Sequence, residues 1–161
     1  MSAPAYADQS PEARFDARAF FSEPWRGWGV VSDGFGAPIG GYEVNGQGRE
    51  VDGARLEQSV TYDNGMVQAL EWEILTDEGG PLTARDVKSG VIAQSRQTGD
   101  GIRWTYKMRA PTPIGLRMVK VEATYTMTGE GSARSVTVVS LYGFRLAVLT
   151  GEFRHITGRP S

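Results

Sequence analysis

Apolar and polar residues alternate with a period of two along several stretches of this chain. From Ile102 to Met108, Ile102, Trp104, Tyr106 and Met108 share one face, opposed by Arg103, Thr105, Lys107 and Arg109. From Val119 to Met127, Val119, Val121, Ala123, Tyr125 and Met127 oppose Lys120, Glu122, Thr124 and Thr126. Leu56, Val60 and Tyr62 oppose Ser59 and Thr61, and Met66, Leu70, Trp72 and Ile74, interrupted by Gln68, oppose Glu71 and Glu73. Side chains of a strand project to alternate faces, so this pattern belongs to strands with one dry and one wet side. Nothing after Pro24 keeps a helical period for three turns. One short helix is expected over Phe15–Phe21, capped by Asp16.

Turn signals separate the runs. Asp63-Asn64-Gly65 joins two alternating segments, and Asn-Gly is a strong hairpin signal. Glu78-Gly79-Gly80-Pro81, Ser89-Gly90, Asp100-Gly101 and Thr128-Gly129-Glu130-Gly131 mark further turns, and 21 glycines in 161 residues break the chain about every eight residues. The pattern predicts nine or ten strands, near 26–32, 40–50, 54–62, 66–76, 82–88, 90–96, 102–109, 117–127, 134–142 and 144–154. So many consecutive antiparallel strands must curl, split or close, because exposed edges invite pairing with other chains. Hairpins in simple succession favour an all-β, antiparallel up-and-down barrel of about 8–10 strands, with a filled sandwich as the alternative. Residues 1–14 read as a flexible lead-in, 15–155 as one barrel domain and 156–161 as a flexible tail.

Composition excludes several functions. The chain has no cysteine, so thiol nucleophiles, iron–sulfur clusters and cysteine zinc sites are out. A single histidine, His155, provides no histidine cluster, and neither a metal nor a cofactor is expected. Seventeen Lys and Arg against nineteen Asp and Glu show no basic excess for nucleic acid. No run of about 18 apolar residues encodes a transmembrane helix. Ala5-Tyr6-Ala7 has the form of a leader cleavage site, but the apolar stretch that should precede it is absent. The sequence as it stands points to the cytoplasm; removal of a leader would point to the periplasm.

The most informative candidate set is Tyr62, Met66, Trp72, Trp104, Tyr106, Met108, Tyr125 and Met127. Aromatic rings combine large apolar area with a polar tip, and methionine adapts to irregular shapes. In a barrel these side chains would line a pocket for an apolar or aromatic small molecule; in a filled core they would simply pack. Gly40, Gly41, Gly46 and Gly48 would let a strand bend at a barrel corner. Asp33, Glu71, Glu73, Asp86 and Glu122 are the acid–base candidates; Glu71 and Glu73 share a wet face, and Asp86 reads as a surface pair or turn cap. His155 reads as a surface residue. Arg103, Lys107, Arg109, Arg117 and Lys120 cluster on adjacent strands, either as a steering surface or as a solvated face balanced by Glu122 and Glu152. No Gly-x-Ser-x-Gly elbow supports a serine hydrolase.

The segment from Trp25 to Gly36, WRGWGVVSDGFG, resembles the opening of a bacterial family known as domain of unknown function 3833, whose members are mostly predicted lipoproteins. Leu56-Glu57, Tyr62-Asp63, Gly65, Trp72, Asp86-Val87, Gly90, Arg103-Trp104, Tyr106, Tyr142-Gly143-Phe144-Arg145 and Glu152-Phe153-Arg154 follow in that family's order over about residues 20–155. The sequence has no cysteine to take a lipid, so the resemblance carries over no anchor. It also has Ala123-Thr124-Tyr125-Thr126-Met127 where the family has an acidic-Trp segment. The resemblance implies a lipocalin-like (calycin) barrel, in which Trp28 would close the floor, and it implies no reaction.

Three functions follow as expectations. The first is a binding module for a hydrophobic small molecule, oriented by Tyr62, Tyr106 or Tyr125. The second is a cofactor-independent isomerase, hydratase or cyclase acting on a hydrophobic substrate in the same barrel, for which a buried acid facing the pocket would be the mark. The third is a structural or partner-binding protein with a filled core.

Overall fold

In the computed structural model, residues 23–50, 54–76 and 82–156 are described. The expected lead-in, the Phe15–Phe21 helix and the tail from residue 157 lie outside them. The alternating segments form ten strands: β1 (Trp25–Asp33), β2 (Pro38–Glu50), β3 (Ala54–Tyr62), β4 (Val67–Thr76), β5 (Leu82–Asp86), β6 (Ile92–Gln97), β7 (Gly101–Thr112), β8 (Gly115–Gly129), β9 (Ser132–Leu141) and β10 (Phe144–His155). Each strand pairs antiparallel with its sequence neighbours, and β1 pairs with both β2 and β10, so the sheet closes into an up-and-down barrel. Closure removes the edges that ten strands would otherwise expose. Among the described residues no helix is long and apolar enough to cross a membrane.

The topology gives the barrel two ends. The turns β1–β2, β3–β4, β5–β6, β7–β8 and β9–β10 lie at one end, here called the mouth. The first residue of β1 and the last of β10 lie at the other, the floor. Trp25 closes the floor. It is 1% exposed, its ring lies 5.1 Å from that of Phe153, and it packs with the buried Ile102 and Ala133. Gly46 makes this possible, since a Cβ there would sit 2.2 Å from the Trp25 indole. The expectation for Trp28 is therefore corrected. Trp28 has the opposite parity on β1, is 44% exposed on the outer wall, and carries the Arg154 guanidinium over its ring.

Two further clusters complete the interior. Trp72 packs with Ala84 and Ala93, which lie side by side on β5 and β6; their small side chains leave room for the indole. Val119, Val121 and Leu141 pack the base of the β7–β8 hairpin against β9 and β10. That hairpin runs further than the alternation indicates. Its ladder extends to Thr112 paired with Gly115, through the apolar pair Pro111 and Leu116.

Candidate functional site

The lumen is walled by aromatic side chains from strands that are not neighbours. Trp72 on β4 meets Tyr106 on β7 edge-on, with ring centroids 5.3 Å apart, although β5 and β6 lie between them in the sheet. Such a contact is possible only through the barrel interior. Tyr125 on β8 likewise meets Phe153 on β10 at 5.4 Å across β9. Tyr42 and Tyr62 face each other on the paired strands β2 and β3 with centroids 6.5 Å apart.

Of the expected set, Tyr62, Trp72, Trp104, Tyr106, Met108, Tyr125 and Met127 all face inward. Trp72 is buried, whereas the other six are half-buried, as is Leu70. Inward side chains in a closed wall keep water-accessible surface only where the interior is not packed to the density of a solid core. Met66 is the exception. It lies in the β3–β4 turn, 60% exposed, with its N–H donating to Asn64 Oδ1. Only Gly65 in that turn has a positive φ, and the Tyr62 N–H closes the loop on the Met66 carbonyl. The loop therefore takes up Met66, and β4 starts one residue later.

Few polar groups interrupt the apolar wall. The Tyr62 hydroxyl approaches Gln68 Oε1 at 3.5 Å, and a side-chain hydrogen bond joins Ser135 to Tyr42. Asp86 at the end of β5 pairs across the ladder with Trp72 and is 9% exposed. Its Oδ2 accepts from the Ser89 hydroxyl at 2.6 Å and from the Ser89 N–H at 3.3 Å, so it caps the β5–β6 turn as expected. Unlike a surface residue, however, it is enclosed, and its Oδ1 meets no donor among the described residues. Burial pushes the Tyr106 phenol up to about 12, helped by the nearness of the Tyr62 phenol and the Asp86 carboxylate. Burial, with smaller contributions from Tyr106 and Tyr42, also raises Tyr125. Tyr42 and Tyr62 are raised chiefly by desolvation. All four phenols are thus held neutral, as hydrogen-bonding groups rather than as charges.

The other acids are committed elsewhere. Asp33 accepts from the N–H groups of Phe35 and Ala37, a turn cap. Glu71 pairs with Arg55 at 3.0 Å and Glu73 pairs with Arg85, so both are tied into a cross-strand ladder on the outer wall. Glu122 lies 3.8 Å from Lys120. His155 is half-buried, with Nδ1 4.0 Å from Glu23. Among the described residues no three acids or histidines gather as a metal site.

Sequence reasoning left Tyr42, Phe153 and Ser135 out of the lumen set. The alternation of Tyr42 and Val44 against Glu43 and Asn45 carried the signal for the first, although the surrounding glycines dilute it.

A family model described as a protein of unknown function, DUF3833, matches residues 1–155. The chain belongs to the DUF3833 family. The match reaches further towards the N-terminus than the quoted motifs, which begin near residue 20. No curated protein matches this DUF3833 chain. Within it, several of the quoted motifs fall at structural hinge points: Trp25 on the floor, Gly65 at positive φ in a turn, Trp72 and Asp86 paired on the wall, and Tyr142-Gly143 in the last turn.

Proposed function

We propose that the barrel holds an apolar or aromatic small molecule in its lumen, the role of a lipocalin-like carrier. One observation carries this reading: aromatic and methionine side chains line the inside of a closed wall and still keep accessible surface. Burying that surface against a ligand would supply affinity, at about 25 cal/mol per Å² of apolar area. Neutral tyrosine hydroxyls and Gln68 would set the ligand's orientation. Titration with a hydrophobic probe such as anilinonaphthalene sulfonate should shift tryptophan emission and saturate at one site. Trp104→Ala should weaken that binding by at least about ten-fold, since a buried aromatic contributes more than 1.4 kcal/mol. Absence of saturable binding by a panel of hydrophobic probes would reject the reading.

A second reading rests on Asp86. A buried carboxylate beside Tyr106 in an aromatic surround is the mark expected of a cofactor-independent isomerase, hydratase or cyclase, in which the wall folds a substrate and one acid moves a proton. A hydrophobic substrate turned over by the native protein should then react about 100-fold more slowly with Asp86→Asn. Equal rates would exclude Asp86 from the chemistry.

A further inference from the structure

The turns at the mouth of the barrel carry exposed apolar side chains. Each of its five turns presents one: Phe35, which is 99% exposed, then Met66, Val87, Ile114 and Phe144. Exposed apolar side chains gathered at one end of a protein mark a surface that meets a partner. The β7–β8 hairpin projects furthest. Beyond Thr105 it has no ladder to β6, and before Lys120 it has none to β9, so residues 108–119 pair only with one another. Its outer part adds the exposed Leu116 and Met118.

Cations accompany the apolar tips of the hairpin. Residues 105–121 contain Lys107, Arg109, Arg117 and Lys120 and no carboxylate. Lys120 lies near Glu122, while Lys107, Arg109 and Arg117 form no ion pair among the described residues. Lys88 and Arg145 add cations at the same end. The three carboxylates at the mouth turns, Asp33, Asp63 and Asp86, are turned onto hydrogen-bond donors, Asp63 onto the Gly41 N–H at 2.7 Å and Asp86 onto Ser89. The floor end is mixed, exposing Glu23, Asp100, Glu130 and Glu152 beside Arg26, Arg96, Arg103, Arg134 and Arg154.

Tyr142 points the same way. It adopts a φ of 52° with its ring exposed. The left-handed region is unfavourable for a residue other than glycine, and the ring that sits there is 74% exposed.

We infer that the mouth rim, led by the β7–β8 hairpin, docks on an anionic phospholipid bilayer. Exposed apolar tips beside cations that form no ion pair among the described residues complement an acyl boundary beneath anionic headgroups. The tips enter the acyl boundary while the lysine and arginine heads stay at the phosphate level. Docking in this orientation turns the lumen towards the lipid, so a hydrophobic ligand would pass between them without crossing bulk water. The inference stands whether or not the lumen binds a ligand.

The test is co-sedimentation of the full chain with vesicles of pure phosphatidylcholine or of phosphatidylcholine mixed with phosphatidylglycerol. Native protein should bind the anionic vesicles and release from them at about 1 M salt, where the screening length falls to about 3 Å. Joint Lys107→Gln, Arg109→Gln and Arg117→Gln substitution should weaken binding to the anionic vesicles about a hundred-fold, at about five-fold per cation. Joint Ile114→Ser, Leu116→Ser and Met118→Ser substitution should weaken it at least about ten-fold. Unchanged thermal midpoints show that the variants are folded. A Phe35→Trp variant keeps the hairpin intact, and its added emission should shift to the blue with anionic vesicles. The inference is overturned if native protein ignores both vesicles or if the triple variants bind like native protein. It is also overturned if the native chain is a dimer that the serine substitutions dissociate, because a second copy then covers the rim.

Discussion

Tyr142 shows how a single residue can work against its own fold. Tyr142 and Gly143 both have positive φ, the conformation of a tight two-residue hairpin turn, which favours Asn-Gly. Tyr142→Asn should therefore raise stability by about 1 kcal/mol, read as a higher urea midpoint with unchanged slope; an unchanged or lower midpoint would show that the tyrosine ring is held by the fold. Trp25 and Gly46 show the opposite, a residue pair that fits only as built. Gly46→Ala should cost about 1–3 kcal/mol by overpacking, measured by the same melt, because the indole occupies the space of the new methyl group. The local sequence WRGWGVV could not distinguish Trp25 from Trp28. The two have opposite parity, Gly27 between them marks neither face, and only Gly46 from the next strand decides which indole turns in.

At the scale of elements, hairpins were legible and their loops less so. β3 spans the same residues as the alternation predicts, 54–62, because four partners on β4 oppose its inward positions. The β3–β4 turn departs by one residue, since Gly65 alone takes the left-handed conformation and Met66 closes the loop. That turn is tied to β2 by Asp63, whose Oδ2 accepts from the Gly41 N–H. Asp63→Ala should cost about 1–2 kcal/mol and should speed hydrogen exchange of the Gly41 amide ahead of other β2 amides. Uniform exchange across β2 would mean that the carboxylate does not anchor the turn. The Arg55–Glu71 and Glu73–Arg85 pairs sit on the outer wall, where such pairs contribute about 0–1 kcal/mol. Glu71 and Glu73, two of the candidate acids, are thus part of the wall.

The molecule as a whole titrates through its interior. Tyr106 is held at about 12 against an ordinary value of 10.0, and Tyr125 is also raised. A group with a raised folded pKa keeps its proton longer in the folded state, so the unfolded chain binds fewer protons above pH 10 and stability falls with rising pH. The stabilisation is complete below about pH 10 and is lost towards pH 12, with a slope of up to about 1.4 kcal/mol per pH unit for each tyrosine. Thermal midpoints measured across that window should fall, with the phenolates of Tyr106 and Tyr125 appearing together with unfolding. Phenolate formation at Tyr106 or Tyr125 in the intact barrel below pH 10 would contradict it. The alternation and turns of the sequence determined the strands, their order and most of the inward-facing aromatics, because a period of two and a short hairpin loop are local properties. Barrel closure, the choice of Trp25 for the floor, the enclosure of Asp86 and the gathering of exposed apolar tips at one end were decided by tertiary structure. Each depends on which distant residue stands opposite, and strand-to-strand register is set by the whole sheet at once.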